Sequence, residues 1–166
     1  MILIIMRHGE ADSYQVSDYT RALTSFGVEQ STKAATQLKK LFATKGLPTS
    51  IDRVLVSPYL RTQQTYEAAK QQLDIKTKID TDAIVPMGDV ASVKDIIDGY
   101  AMSNDEVAGE SENLMFISHM PLVSLLADAM CSGFNGKIFD TADILIIEYD
   151  HKAMTGKQLA LIESRK

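Results

Sequence analysis

The stretch Ile2-Leu3-Ile4-Ile5-Met6-Arg7-His8-Gly9 decides the fold. Ile2 to Met6 is a continuous apolar run rich in branched residues, too short for a helix and too apolar for a half-exposed edge. It predicts a buried central strand. Arg7 and His8 then stand at the C-terminal end of that strand. The same run does not read as a secretory leader, because it is short, no basic residue precedes it and Arg7-His8 follow at once.

Working outward, the pattern of apolar strand, polar turn and helix recurs. Thr24 is a helix N-cap, and Leu38, Leu41 and Phe42 supply an apolar stripe before Gly46 and Pro48 stop a helix expected over Ser25 to Thr44. Arg53 to Val56 predicts a second buried strand. Ser57-Pro58 after it supplies an N-cap and a proline for the first helical position, with Arg61 about one turn further in. A short strand is expected at Lys76 to Ile79 and a helix at Val90 to Met102, followed by a polar, acidic loop at Asn104 to Glu112. Leu114 to Ile117 repeats the buried-strand pattern, ahead of Ser118-His119-Met120-Pro121 and a helix carrying Leu122, Leu125, Leu126 and Met130. Ile144 to Tyr149 and Gln158 to Ile162 read as a closing hairpin through Asp150 to Lys157. Alternating strands and helices imply an α/β class: one domain over residues 1–166, an α/β/α sandwich with a mainly parallel central sheet.

Composition narrows the function. A chain of 166 residues buries roughly two-thirds of its unfolded surface without disulfides or metals. With 45% hydrophobic and 23% charged residues it is neither disordered nor repetitive. Its single cysteine, Cys131, excludes an internal disulfide and thiolate metal clusters, and is expected as a semi-buried helix residue. No run approaches the roughly 18 apolar residues of a membrane span, so the expected location is the cytoplasm, with no membrane partner. A net charge of -5 argues against nucleic-acid binding, which needs clustered Lys and Arg.

Two of the five arginines and two of the three histidines fall just beyond apolar strand-like runs. In open α/β sheets, ligands bind outside the carboxyl ends of the strands. If the three strands are neighbours, Arg7, Arg61, His8 and His119 converge on one cleft. Four potentially cationic groups there repel each other unless an anion neutralises them, and helix N-termini add positive potential. Phosphate is the natural occupant. Arginine binds two phosphate oxygens at once, and histidine adds a nitrogen that serves as nucleophile, acid or base near neutral pH. No Gly-x-Ser-x-Gly elbow or Lys-Ser/Thr phosphate loop is present. Cys131 lacks a Cys-x5-Arg cradle, position 137 being Lys. No Gly-x-Gly-x-x-Gly follows the first strand, against a dinucleotide binder. Arg53, Arg165 and His151 match no motif and are expected to be solvated.

Arg7-His8-Gly9 resembles the signature of the histidine phosphatase (phosphoglycerate mutase-like) superfamily. Further matches follow in order: Arg21-Ala22-Leu23-Thr24-x-x-Gly27, Ser57-Pro58-Tyr59-Leu60-Arg61-Thr62-x-x-Thr65, Pro86-Met87-Gly88-Asp89-Val90 and Ser118-His119-Met120-Pro121-Leu122-Val123. Together they are similar to the short bacterial SixA-type phosphohistidine phosphatases, over residue 1 to about residue 147. The resemblance implies a phosphoglycerate mutase-like fold and a covalent phosphohistidine on His8. Arg7, Arg61 and His119 would grip the phosphoryl oxygens, with Arg21, Gly9, Ser57 and the Met120 backbone N–H as further substrate contacts. No metal is expected, because two arginines supply the charge a magnesium ion would, and no cofactor is expected. Ala22 departs from a proline found in such sequences, which alters loop stiffness more than chemistry.

Larger members carry a glutamate general acid in the middle region, whereas the stretch from Asp80 to Asp95 has aspartates only. Asp89 is the nearest candidate acid, and capping of the helix from Val90 is its competing role. An alkoxide must be protonated as it leaves, but an imidazole leaves with little help, so a missing acid favours phosphohistidine as substrate. The short connections between elements predict an open cleft. Expected partners are phosphohistidine-bearing signalling proteins, such as the histidine phosphotransfer domain of a phosphorelay, or phosphocarrier proteins. A general phosphomonoesterase acting on sugar or nucleotide phosphates, and a catalytically silent phosphate- or phosphohistidine-binding module, remain as alternatives.

Overall fold

Strand β1 (Ile2–Arg7) lies inside the sheet, parallel to β4 (Leu114–Ser118) on one side and antiparallel to β5 (Ile144–Asp150) on the other. The computed structural model describes residues 1–13, 17–106 and 112–165, with only the backbone for 104–106. Beyond β4 come β2 (Ser50–Val56) and then β3 (Asp74–Asp80), both parallel to their neighbours, and β6 (Thr155–Ile162) closes the other edge as a hairpin with β5. The sheet order is β3-β2-β4-β1-β5-β6, mixed but mostly parallel.

Because successive residues of a strand face opposite ways, β1 feeds two cores. Leu3 and Ile5 join Leu114 and Phe116 against α3 (Val90–Glu106) and α4 (Leu122–Met130), through Val93, Ile97, Leu122 and Leu126. Ile2, Ile4 and Met6 join Met115 and Ile117 against α1 (Ser25–Lys45) and α2 (Leu60–Ala69), through Ala34, Ala35, Leu38, Phe42 and Ala69. Strands covered on both faces must be apolar throughout, which is why the central runs do not alternate. Each such Ile or Leu contributes on the order of 1.5–3 kcal/mol by leaving water. The result is an α/β/α sandwich.

Local chemistry sets the helix ends. The Thr24 side chain accepts from the Gly27 N–H at the start of α1, and Gly46 ends the helix with φ 65°, a left-handed conformation that glycine adopts freely. Several expected boundaries shift. Helix α2 begins at Leu60, not at Pro58, and the residue before it is Tyr59. Ser57 is drawn away from capping by a hydrogen bond with His119, so Arg61 falls in the first turn. Helix α3 continues through Glu106 where a loop was expected from Asn104, and the rest of that loop, apart from Glu112, lies outside the described residues. Cys131 is fully buried and follows α4 instead of lying within it. Arg53 is only partly solvated: it sits inside β2, binds both Glu112 carboxylate oxygens at 2.8 and 3.1 Å and stacks over Tyr100.

Candidate functional site

The sheet order makes β2, β4 and β1 consecutive and parallel, so their C-terminal ends point the same way. Arg7 pairs in register with Ser118, and Val56 with Ile117, so the residues just beyond all three strands meet at one level. This adjacency, which the sequence pattern alone left conditional, brings His8, Arg61 and His119 together. The His8 and His119 rings lie 5.2 Å apart, and Arg61 Nε donates to His8 Nε2 at 3.2 Å.

His8 has a defined tautomer. Its Nδ1 lies 2.7 Å from the Gly9 carbonyl, which can only accept, so Nδ1 carries the proton. Nε2 therefore keeps its lone pair, directed at Arg61. Burial lowers the His8 imidazole to about 3, and the charges of Arg61, Arg7 and Arg21 act in the same direction. His119 is lowered to about 2, again chiefly by burial, with His8 and the arginines adding to it. Its Nε2 is hydrogen-bonded with Ser57 Oγ at 2.8 Å, while its Nδ1 is buried without a protein partner.

Arg7 donates from Nη1 to the Phe139 carbonyl at 2.7 Å, and its Nε is buried without a partner. Burial lowers its pKa, and Asp140 and Asp143 oppose that shift. Arg61 is more enclosed: the Asp18 carbonyl and carboxylate take its Nη1 and Nη2, and its guanidinium lies 4.8 Å from the Tyr59 ring centre. Tyr59 also stands edge-on to His119 at 4.9 Å.

The further candidates fall in different places. Gly9 lines the site by necessity of packing. A Cβ there would collide with the Gly27 carbonyl, and its own N–H is taken by Thr65 Oγ1 at 3.1 Å. Arg21 stands at the rim, bonded to the Asp18 carboxylate and the Asp12 carbonyl. Met120 occupies the turn between β4 and α4. Asp89 is exposed, and its carboxylate accepts from Ser92 N and Oγ at 3.0 and 2.8 Å, which makes it the N-cap of α3 and lowers its pKa. His151 lies in the β5–β6 turn, at the opposite end of the sheet.

The sequence profile of the histidine phosphatase superfamily (branch 1) matches residues 3–84. Over 151 residues the chain is 35% identical to the phosphohistidine phosphatase SixA of Escherichia coli (strain K12), covering 90% of this chain and 86% of that protein. The chain belongs to the histidine phosphatase superfamily. A second relative in the superfamily, the SixA homolog of Haemophilus influenzae, is 33% identical over 153 residues, covering 90% of this chain and 89% of that one. The fold also matches the structure of the protein histidine phosphatase SixA complexed with tungstate, with a TM-score of 0.85, 28% identity and coverage of 99% and 98%.

The burial of this superfamily member's site and the residues that cover it go beyond the sequence reading. His8, Arg61 and His119 are only 5%, 2% and 1% exposed, so they form the floor of the site. The cause is local: Arg61 is covered by Asp18 and Tyr59, and Arg61 in turn covers Nε2 of His8. Asp18, Tyr59 and Thr65 were not assigned roles from sequence. An acid three residues before Arg21 was the available signal for Asp18, since i,i+3 neighbours meet in a helical turn.

Proposed function

We propose that this protein is a phosphohistidine phosphatase that passes the phosphoryl group through Nε2 of His8. The observation that carries the reading is the pair of bonds on that ring. Nδ1–H donates to a carbonyl, and Nε2 presents a lone pair to the guanidinium of Arg61. A neutral imidazole held in one tautomer is a competent nucleophile at neutral pH.

His8 Nε2 attacks phosphorus in line with the substrate's P–N bond. The Arg61 Nε–H, keeping its proton, first shifts its hydrogen bond from Nε2 to a phosphoryl oxygen and frees the lone pair; as the P–N bond breaks, its electron pair leaves with the substrate imidazole. Arg7, whose Nε is unpaired, and Arg61 balance the charge on the equatorial oxygens. With the Ser57 hydroxyl donating to Nε2 of His119, the remaining ring proton sits on Nδ1, the buried atom left to bond a phosphoryl oxygen. Arg21 and the backbone N–H of Met120 complete the cradle. Water then attacks the phosphorus on His8, releasing phosphate and returning the electron pair to Nε2.

The leaving group sets the substrate class. Asp89 caps a helix from an exposed position, and no glutamate lies between residues 80 and 95 to protonate an alkoxide. A phosphohistidine-bearing protein, whose imidazole leaves easily, fits this equipment. The named relatives support the same choice. The proposal takes residues 1–166 as one histidine phosphatase domain acting in the cytoplasm on a signalling or phosphocarrier protein. The test compares hydrolysis of a phosphorylated histidine phosphotransfer domain with that of a panel of sugar and nucleotide phosphates. A strong preference for the phosphoprotein is expected. Preference for the esters overturns the substrate class, and no turnover of either leaves a binding module.

A further inference from the structure

Asp18 brings an anion to the cation cluster from outside the three strand ends. Its short 3-10 turn (Asp18–Thr20) holds the carboxylate between two arginines: Oδ1 accepts from Arg21 Nε at 3.1 Å, and Oδ2 accepts from Arg61 Nη2 at 3.1 Å. The Asp18 backbone carbonyl accepts from Arg61 Nη1 at 2.7 Å. Since Nε of Arg61 donates to His8, all three nitrogens of one guanidinium are directed by two residues.

The Asp18 side chain is 57% exposed, whereas that of Arg61 is 3% exposed. An ion pair with one partner so exposed adds little to stability, so its effects lie in orientation and local charge. Nη1 and Nη2 each retain a second N–H, because each has two hydrogens and spends one on Asp18. A phosphoryl group entering the cradle therefore meets a guanidinium already bonded to a carboxylate.

We propose that Asp18 is a positioning residue and an internal competitor of phosphate. It fixes Arg61 against His8 before the phosphoryl group arrives, then shares that guanidinium with it, so that the site holds phosphate less tightly than its arginines alone would. This rests on the assignment of His8 and Arg61 proposed above. A carboxylate and a phosphate on opposite sides of one guanidinium are about 6 Å apart. At a solvent-like dielectric and low ionic strength, their repulsion weakens phosphate binding roughly 3- to 10-fold. Weak binding of the product favours turnover, because affinity shared equally by ground and transition states does not raise kcat.

Asp18→Asn removes the charge, keeps the shape and retains the backbone carbonyl. Titration with inorganic phosphate at low ionic strength should give a Kd roughly 3- to 10-fold lower than wild type, and phosphate should inhibit turnover with a Ki lower by the same factor. At the same time kcat should fall several-fold, because Arg61 is less firmly directed. Asp18→Ser should tighten phosphate binding in the same direction, and Asp18→Glu should return the Kd toward the wild-type value. Asp74→Asn, at the exposed start of β3 on the far end of the sheet, controls for net charge and should leave the Kd unchanged. A folded Asp18→Asn protein with unchanged or weaker phosphate binding, or with wild-type kcat, overturns the proposal. Loss of a merely structural turn would weaken binding, the opposite sign. If Arg61→Ala binds phosphate as well as wild type, the site assignment itself fails, whatever Asp18 does.

Discussion

Acidification should destabilise this protein through its two site histidines, in a pH window where most carboxylates are still ionised. Both rings are neutral in the folded state, His8 lowered to about 3 and His119 to about 2, from an ordinary value of 6.5. Between 6.5 and those folded values the unfolded chain binds more protons than the native one, so stability rises with pH there and is lost as pH falls. At pH 5 neither native ring is protonated, and the loss is set by protonation of the unfolded chain alone. For a group of pKa 6.5 taken from pH 7.5 to pH 5, this comes to about 2 kcal/mol, or about 4 kcal/mol for the pair. Because the native rings stay neutral at both pH values, the two contributions add despite their proximity.

Urea unfolding at a series of pH values measures the effect, and a His119→Asn variant isolates one ring. The wild-type curve should fall by about 2 kcal/mol more than the variant's between pH 7.5 and pH 5. Carboxylates such as Asp80, lowered by Lys78 and Gln63, and Asp143, raised by burial, cancel in that difference. Saturating phosphate at pH 5 should recover part of the loss, since a bound anion favours charged rings. Parallel curves for wild type and variant, or ring signals titrating near 6.5 in the folded protein by NMR, would refute the reasoning.

Four further outcomes follow from the geometry. His8→Ala should fold and lose at least about 1,000-fold in turnover, read from phosphate release with circular dichroism as the fold control. Arg61→Lys supplies a charge without the fork that joins His8 to Asp18, so phosphate or tungstate affinity measured by calorimetry should drop roughly 10- to 100-fold. Asp89→Ala should lower the melting temperature slightly and leave phosphohistidine hydrolysis at the wild-type rate; a large fall in kcat would instead make Asp89 the acid. Gly27→Ala drives a Cβ into the Glu10 carbonyl and should destabilise the protein by about 1–3 kcal/mol in urea unfolding, with His8 displaced along with its loop.

The central strands were legible because burial on both faces requires unbroken apolar runs, and Ile2 to Met6 and Leu114 to Ile117 satisfy that requirement. Strand β3 was legible only in part. As an edge strand it carries Asp74, Lys76, Lys78 and Asp80, and its ends are set by pairing with β2 from Ser50 to Val56, a tertiary fact without a local signal. Ser57 misled for a related reason. A serine before proline is a sound helix cap, but a buried imidazole within 2.8 Å outcompetes a helix end. The proposed nucleophile and its cations were visible as strand-end residues, whereas the contacts of Asp18 with Arg61 and of Tyr59 with His119 join residues tens of positions apart in sequence.

Four potential cations at three strand ends suggested a cluster that requires an anion to exist. In the folded protein burial neutralises the two imidazoles, Asp18 faces Arg61 and Arg21, and Asp140 and Asp143 lie near Arg7. The cluster is therefore stable before substrate arrives, with two permanent charges and two groups held neutral at the expense of proton affinity. An incoming phosphoryl group acts against burial at His119, since its charge favours the protonated ring that burial had disfavoured. Phosphate binding should accordingly raise the pKa of His119 from about 2, a shift measured by following its ring signals by NMR through an acid titration with and without phosphate.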